Sequence, residues 1–402
     1  MAKDRVATMG SDFKSNPPFR AEHLGSLLRP PYLLEARENK ALSASDLTAI
    51  EDKAIDGAIK LQRDVGLRTF SDGEYRRHMF YEGFFDSLDG MEEVSNPPRE
   101  IFKEYVPDVQ AFLADSIVPA GTWLCTGKLS HRGKSKYVQQ YKYIQSKLQP
   151  GENVKMTLAA PEWFHLRHGE HAYSPSAYSS SAAYFADIAT AYRHELSLLY
   201  AAGCRNVQID DPLLAYFCAQ PMLDGMRAGG EDPSARLDEY IALYRDCLRD
   251  RPADMLVGLH ICRGNFRKSI HFSEGGYEHI AKKLFTELPA DVYYLEYDTP
   301  RAGSFEPLAE VPRGKRVVLG LVTSKFAEPM EDIDEMKEKV RSAARMMAKG
   351  TGETEEEAMA RLSVSPQCGF GSHADGNAID EAGMRRKLEL VVKLAKSVWG
   401  QL

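Results

Sequence analysis

The chain has 402 residues, 43% hydrophobic and 27% charged, a balance that suits one large globular domain or two ordinary ones. Its 51 basic and 58 acidic residues give a formal net charge of −7, which argues against a nucleic-acid surface. No apolar run reaches the roughly 18 residues that span a bilayer, so no membrane association is expected. The six cysteines (Cys125, Cys204, Cys218, Cys247, Cys262 and Cys368) are sparse and lack framework spacing, so reduced thiols in a cytoplasmic protein are expected.

In chain order, the opening MAKDRVATMGSDFKSNPPFR lacks the apolar core of a secretory signal. It is expected to be a flexible arm over 1–17, leaving one domain over 18–402. FRAEHLGS (19–26) is the first strand. A helix fits 45–65, with Ser45 as N-cap and Leu47, Ile50, Ala54, Ile55, Ala58 and Ile59 on one face. RTFSDGE (68–74) is the second strand. The stretch 85–153 has poor periodicity and one strand candidate, WLCTGKL (123–129). It is expected to be an insertion between strands two and three, with Phe84, Phe85, Tyr105, Tyr137 and Tyr141 packing on the side of the domain rather than covering its mouth. Short runs rich in β-branched and aromatic residues follow at 154–161, 206–212, 255–262, 292–298, 317–324 and 361–368. Helices are expected at 135–148, 181–202, 236–249, 275–287, 332–349 and 381–399. Eight strand candidates, most separated by a helix, form the pattern of a (β/α)8 TIM barrel. An open doubly wound sheet is the alternative, but no glycine-rich dinucleotide fingerprint follows the first strand.

Six of the eight strands end in residues able to do chemistry: His23 to Ser26, Asp72 to Glu74, Asp210 with Asp211, His260 with Cys262, Glu296, and Cys368. In a (β/α)8 barrel all of these ends open onto the C-terminal face, where active sites sit. His260, Cys262, Glu296 and Cys368 make a plausible zinc set of imidazole, thiolate and carboxylate donors. Two soft thiolates argue against magnesium or calcium. Each also has a structural reading, since buried cysteines are common and Glu296 could pair with Arg301. A zinc ion with two thiolates is a poor activator of water, but it can bind and ionise an incoming thiol. Alkyl transfer to a thiol follows. Glu74 and Asp210 could hold the ammonium of an amino-acid substrate, or pair with Arg76, Arg77 or Lys128. Gly25 and Ser26 can offer a backbone N–H and a hydroxyl to a carboxylate. Trp163 could wall a flat donor or belong to the core.

Together, LGS (24–26), DGE (72–74), QIDDP (208–212), HIC (260–262), Glu296 five residues after Asp291, and SPQCG (365–369) resemble the C-terminal catalytic barrel of cobalamin-independent methionine synthases. The likeness runs from about Pro18 to Leu402 and is closest to the short members that lack the N-terminal half. It implies zinc on His260, Cys262, Glu296 and Cys368, with Glu296 yielding when the thiol binds. It also implies homocysteine contacts at Leu24, Gly25 and Ser26 and around the amino group at Glu74 and Asp210, with Trp163 near the methyl donor. Two departures stand out. Asp211 occupies the family's glutamate position, and Thr323-Ser324-Lys325 replaces an aspartate-x-histidine whose histidine serves as proton donor. Lys325, with Asp210, is therefore the expected catalytic group. The donor implied is methylfolate, methylcobalamin or a methylated corrinoid protein. The alternatives are a zinc-dependent alkyltransferase acting on another thiol or electrophile, and a metal-free decarboxylase resembling the uroporphyrinogen enzyme.

Overall fold

The computed structural model describes residues 17–114, 121–266 and 269–400. The expected arm therefore lies, all but Pro17, outside the described residues.

Six strands pair in parallel: β5 (Met156–Ala159), β6 (Asn206–Asp210), β7 (Leu256–Ile261), β8 (Val292–Glu296), β9 (Arg316–Val322) and β10 (Leu362–Pro366), each beside the next in sequence. β6 and β8 to β10 are buried along their whole length and β7 at all but its first residue, as parallel strands covered on both faces must be. That is why β7, β8 and β9 read as largely apolar runs, whereas β6 and β10 bury the polar side chains of Gln208, Ser363 and Ser365 among apolar ones. Pairing continues past both edges. Ala21 forms a parallel bridge to Val364 in β10. At the other edge β1 (Thr69–Phe70) pairs in parallel with β4 (Asn153–Val154), which runs into β5 across Lys155 alone. The N–H of Leu27 donates to the carbonyl of Gly73 at 3.1 Å, tying the first segment to the second. The molecule is thus an α/β protein with a parallel sheet.

Two apolar groups flank these strands. A large one lies between strands and helices. A small, separate cluster of Leu24, Val292, Tyr294 and Val318 contains side chains from the first, sixth and seventh predicted strands. Near it the buried ion pair of Lys155 and Glu22 spans 3.0 Å, and the Lys155 ammonium sits 4.5 Å from the Tyr294 ring.

The helices follow their apolar spacing, with corrections at the ends. The first long helix is Ala44–Asp64, and its cap is Ser43, not Ser45: the Ser43 hydroxyl accepts from the Asp46 N–H at 3.1 Å. The helix expected at 236–249 begins earlier, because Pro233 takes its first position and Asp232 caps it. The helix expected at 275–287 narrows to Ala281–Glu287 behind a 3-10 turn. Gly275, at φ +125°, keeps the chain out of the helical region there.

The stretch 85–153 contains an antiparallel hairpin of β2 (Leu88–Ser95) and β3 (Gly121–His131). Phe84, Phe85, Tyr137 and Tyr141 are buried in the main core, and Tyr105 packs against it. Other residues of the same stretch, Phe112 and Trp123, reach the cavity at the strand ends.

Candidate metal centre and active-site cavity

A cavity of about 570 Å³ opens where the parallel strands end. Leu24, Ser26, Glu74, Trp163, Asp210, His260, Cys262 and Cys368 all line it. Gly25, Glu296 and Lys325 are not among its lining residues.

His260, Cys262 and Cys368 converge, each offering one ligand atom within 4.8 Å of the others, and all three are buried. The strands dictate this. The register of β6 against β7 sets Asp210 directly opposite His260, Cys262 follows β7 by one residue, and Cys368 follows β10 by two. His260 Nδ1 lies 2.9 Å from Asp210 Oδ1, which also accepts from the Gln208 amide at 2.7 Å. The carboxylate therefore holds the Nδ1 proton, the usual arrangement behind a ligating histidine, and Nε2, 3.4 Å from the Gln367 carbonyl oxygen, is the nitrogen that a metal would take. Burial would keep His260 neutral, but Cys262 and Asp210 outweigh it and raise its pKa to about 9. The Cys262 thiol is brought down to about 7, chiefly by its hydrogen bond with Cys368 and then by His260, against burial. The same contact and burial push Cys368 well up. Two thiols disposed to share one proton, beside an oriented imidazole, fit a soft divalent cation such as zinc.

Glu296 ends β8 beside this cluster but outside it. Its Oε1 accepts from Arg301 Nε at 2.7 Å, and its Oε2 from the Arg263 backbone N–H at 3.0 Å. Both oxygens are engaged, and ligation would require release of one of these contacts.

Glu74 sits at φ +62°, a left-handed backbone that follows Gly73 at φ +68° and turns the carboxylate inward. Its Oε1 accepts from the Thr157 hydroxyl at 2.8 Å, while the buried Oε2 has no partner. Arg77, 3.9 Å away, is its nearest cation. Burial raises the Glu74 carboxyl to about 7, opposed by Arg77 and assisted by Asp210. Gly25, at φ +111°, lies against this pair: a Cβ there would stand 2.5 Å from Thr157 Cγ2 and 3.0 Å from Glu74 Oε1. Gly25 thus admits Glu74 rather than lining the cavity. The Ser26 hydroxyl accepts from the Gly371 N–H at 3.3 Å.

Trp163 stacks on Tyr81 at 4.8 Å between centroids and meets Phe80 edge-on at 5.1 Å. Its indole N–H is buried without a partner. Lys325, the expected catalytic group, lies behind the cavity wall rather than in its lining. Its ammonium donates to the carbonyls of Gly264, Ser269 and Ile270 at 3.1, 3.2 and 3.3 Å, tethering a loop. Asp108, Arg167, Asn265 and His373 also line the cavity, and sequence patterns give no sign of them. None lies in an apolar strand, and only Asn265 falls near a motif, three residues beyond Cys262.

The fold and site define a class: a parallel-sheet α/β protein with a buried histidine–dicysteine cluster, a candidate metal centre, in a cavity at the strand ends. Residues 172–396 match the model of the cobalamin-independent synthase catalytic domain. YxjH of Bacillus subtilis (strain 168), an uncharacterized protein, is 33% identical over 98% of both chains, and its counterpart YxjG is 33% identical over 96% of both. A Listeria monocytogenes structure assigned as a vitamin-B12-independent methionine synthase is 26% identical, covering 96% of this chain and 99% of that one, with a TM-score of 0.69. The B12-independent methionine synthase of Shewanella sp. W3-18-1, solved with selenomethionine, shares the fold at 19% identity and a TM-score of 0.65, covering 94% and 97% of the two chains. The chain belongs to the cobalamin-independent methionine synthase family. No helix of the described residues is long and apolar enough to cross a membrane.

Proposed function

We propose that the protein is a zinc-dependent methyltransferase acting on the thiol of homocysteine or a close analogue, and that its parallel strands close into a (β/α)8 barrel. The barrel reading rests on pairing that continues from Ala21 through β10 to β5, β4 and β1. The observation that carries the chemistry is the convergence of His260, Cys262 and Cys368. Zinc bound there would lower the pKa of an incoming thiol and keep the thiolate nucleophilic.

The chain's own residues supply the rest. Asp210 fixes the tautomer of His260. Glu74 Oε2, unpartnered and facing the cavity, would accept from the substrate ammonium, a charge-assisted bond contributing roughly 1.5–3 kcal/mol. Ser26 and Leu24, which line the cavity, would meet the substrate carboxylate, while the Gly25 N–H is held by His23 Nδ1 at 3.2 Å. Glu296, drawn off by Arg301, leaves a position at the metal for the substrate sulfur. Trp163 and Tyr81 would wall the donor side. A metal-free decarboxylase gives the paired cysteines no role.

The test is Cys368→Ser. The variant should lose stoichiometric zinc and the ability to form methionine from homocysteine and a methyl donor. A variant that folds, keeps one zinc per chain and turns over at the wild-type rate would refute the assignment.

A further inference from the structure

The far side of the same cavity bears on the second substrate, in an inference that rests on the thiol chemistry proposed above. Six carboxylates line the cavity, those of Glu74, Glu82, Glu93, Asp108, Asp210 and Asp375, whereas Arg167 is the only lysine or arginine lining it among the described residues. Arg167 is itself engaged by Asp108, 3.1 Å from Nε to Oδ2. Glu93 and Asp375 are exposed at the cavity rim. Asp210 is likewise committed to His260 and Glu74 is set aside for the substrate ammonium, so the negative charge met by a second, entering ligand is that of Glu82, Glu93 and Asp375.

A second, independent feature points the same way. Asn265 is only 8% exposed and lines the cavity. Its amide nitrogen donates to the Gly369 carbonyl at 2.8 Å and to the Ser372 hydroxyl at 3.0 Å, which fixes the orientation of the group. Its carbonyl Oδ1 is buried with no partner. An unpaired buried acceptor costs about 1–3 kcal/mol, and a positively charged or N–H-bearing ligand would relieve that cost. The cavity wall also carries the aromatic rings of Phe80, Tyr81 and Trp123, whose faces attract cations, beside Phe112 and Trp163, which already face the Arg167 guanidinium at 5.8 and 5.6 Å.

From this arrangement we propose that the methyl donor is a small organic cation of the methylsulfonium class, recognised by the acidic rim, the aromatic wall and the Asn265 carbonyl. The step balances without an added acid. The acceptor thiolate's electron pair forms the new S–CH3 bond, the C–S bond of the sulfonium breaks, and its electron pair stays on the departing sulfur as a neutral thioether. No proton moves at the donor, so none is asked of the Lys325 ammonium, which is tied to three carbonyls, one of them that of the cavity-lining Gly264. A polyanionic donor would instead meet like charge.

The experiment uses the zinc-loaded full chain. Trimethylsulfonium and S-methylmethionine are titrated calorimetrically. Methyl-deuterated S-methylmethionine, methyltetrahydrofolate and methylcobalamin are then each offered with homocysteine, and labelled or new methionine is measured. The expected result is binding of both sulfonium compounds and methionine formation from S-methylmethionine. The double variant E93Q/D375N should weaken sulfonium binding about two- to fivefold, in the range of exposed charge pairs, without loss of zinc. Absence of sulfonium binding, or methionine formed only from methyltetrahydrofolate or methylcobalamin, overturns the proposal. The thiol reading is judged separately, by zinc content and homocysteine binding, and survives either result.

Discussion

Asp210 and Glu74 are neighbouring acidic groups with different work, and their hydrogen bonds separate them. Asp210 is committed to His260 through Oδ1, so Asp210→Asn should lower zinc affinity about 10- to 100-fold, the usual cost of losing the group behind a ligating histidine. Competition with a chromophoric chelator measures this directly. Glu74 keeps Oε2 free for a ligand. With its carboxyl at about 7, it is neutral in mildly acidic solution and charged above that, so binding of a substrate ammonium should strengthen as pH rises from about 6 to about 8. Glu74→Gln should flatten that dependence and raise the KM for the thiol more than it lowers kcat. The same shift has an opposite signature in stability. The folded pKa lies above the unfolded value of 4.5. The unfolded chain therefore releases this proton first, and the contribution of Glu74 to stability falls as pH climbs between those two values. Denaturant melts on either side of that window, at about pH 4 and about pH 8, should show a smaller difference for Glu74→Gln than for the wild type.

The strands place this chemistry, and the turns that leave them aim it. Gly25 occupies a backbone conformation that disfavours any side chain, in a space already filled by Thr157 and Glu74. Gly25→Ala should destabilise the fold by about 1–3 kcal/mol and displace Glu74, reducing substrate binding beyond the stability loss. Ser43→Ala should cost about 1 kcal/mol in a denaturant melt, and Ser45→Ala much less, because Ser43 holds the Asp46 N–H. The strands are legible in the sequence because burial on both faces favours short runs rich in β-branched and aromatic residues, and each predicted strand from 154 onward overlaps an observed one. The ligand cluster is legible for the same reason: His260, Cys262 and Cys368 fall at or just beyond the ends of predicted strands. β2, whose residues are half exposed and mostly polar, carries no such signal, and neither do the loop residues Asn265 and His373. Spacing alone leaves Glu296 open to either a metal or Arg301. The structure shows the Arg301 contact at 2.7 Å, a choice that depends on how the chain turns after β8.

At the scale of the whole molecule, the site draws on segments from both ends of the chain, with Ser26 and Cys368 lining one cavity. Metal binding and global stability should therefore be coupled. Zinc at about a thousand times its Kd should add about 4 kcal/mol, and a chelator should remove it, lowering Tm in a way that re-added zinc reverses. Acidification should do the same as protons compete for the thiols. Zinc K-edge X-ray absorption on the loaded protein, with and without homocysteine, tests thiol binding at this centre. The predicted shell contains one imidazole nitrogen and two sulfurs, and gains a third sulfur when homocysteine is added. A shell without two sulfurs, or one that homocysteine leaves unchanged, would contradict thiol activation at this centre.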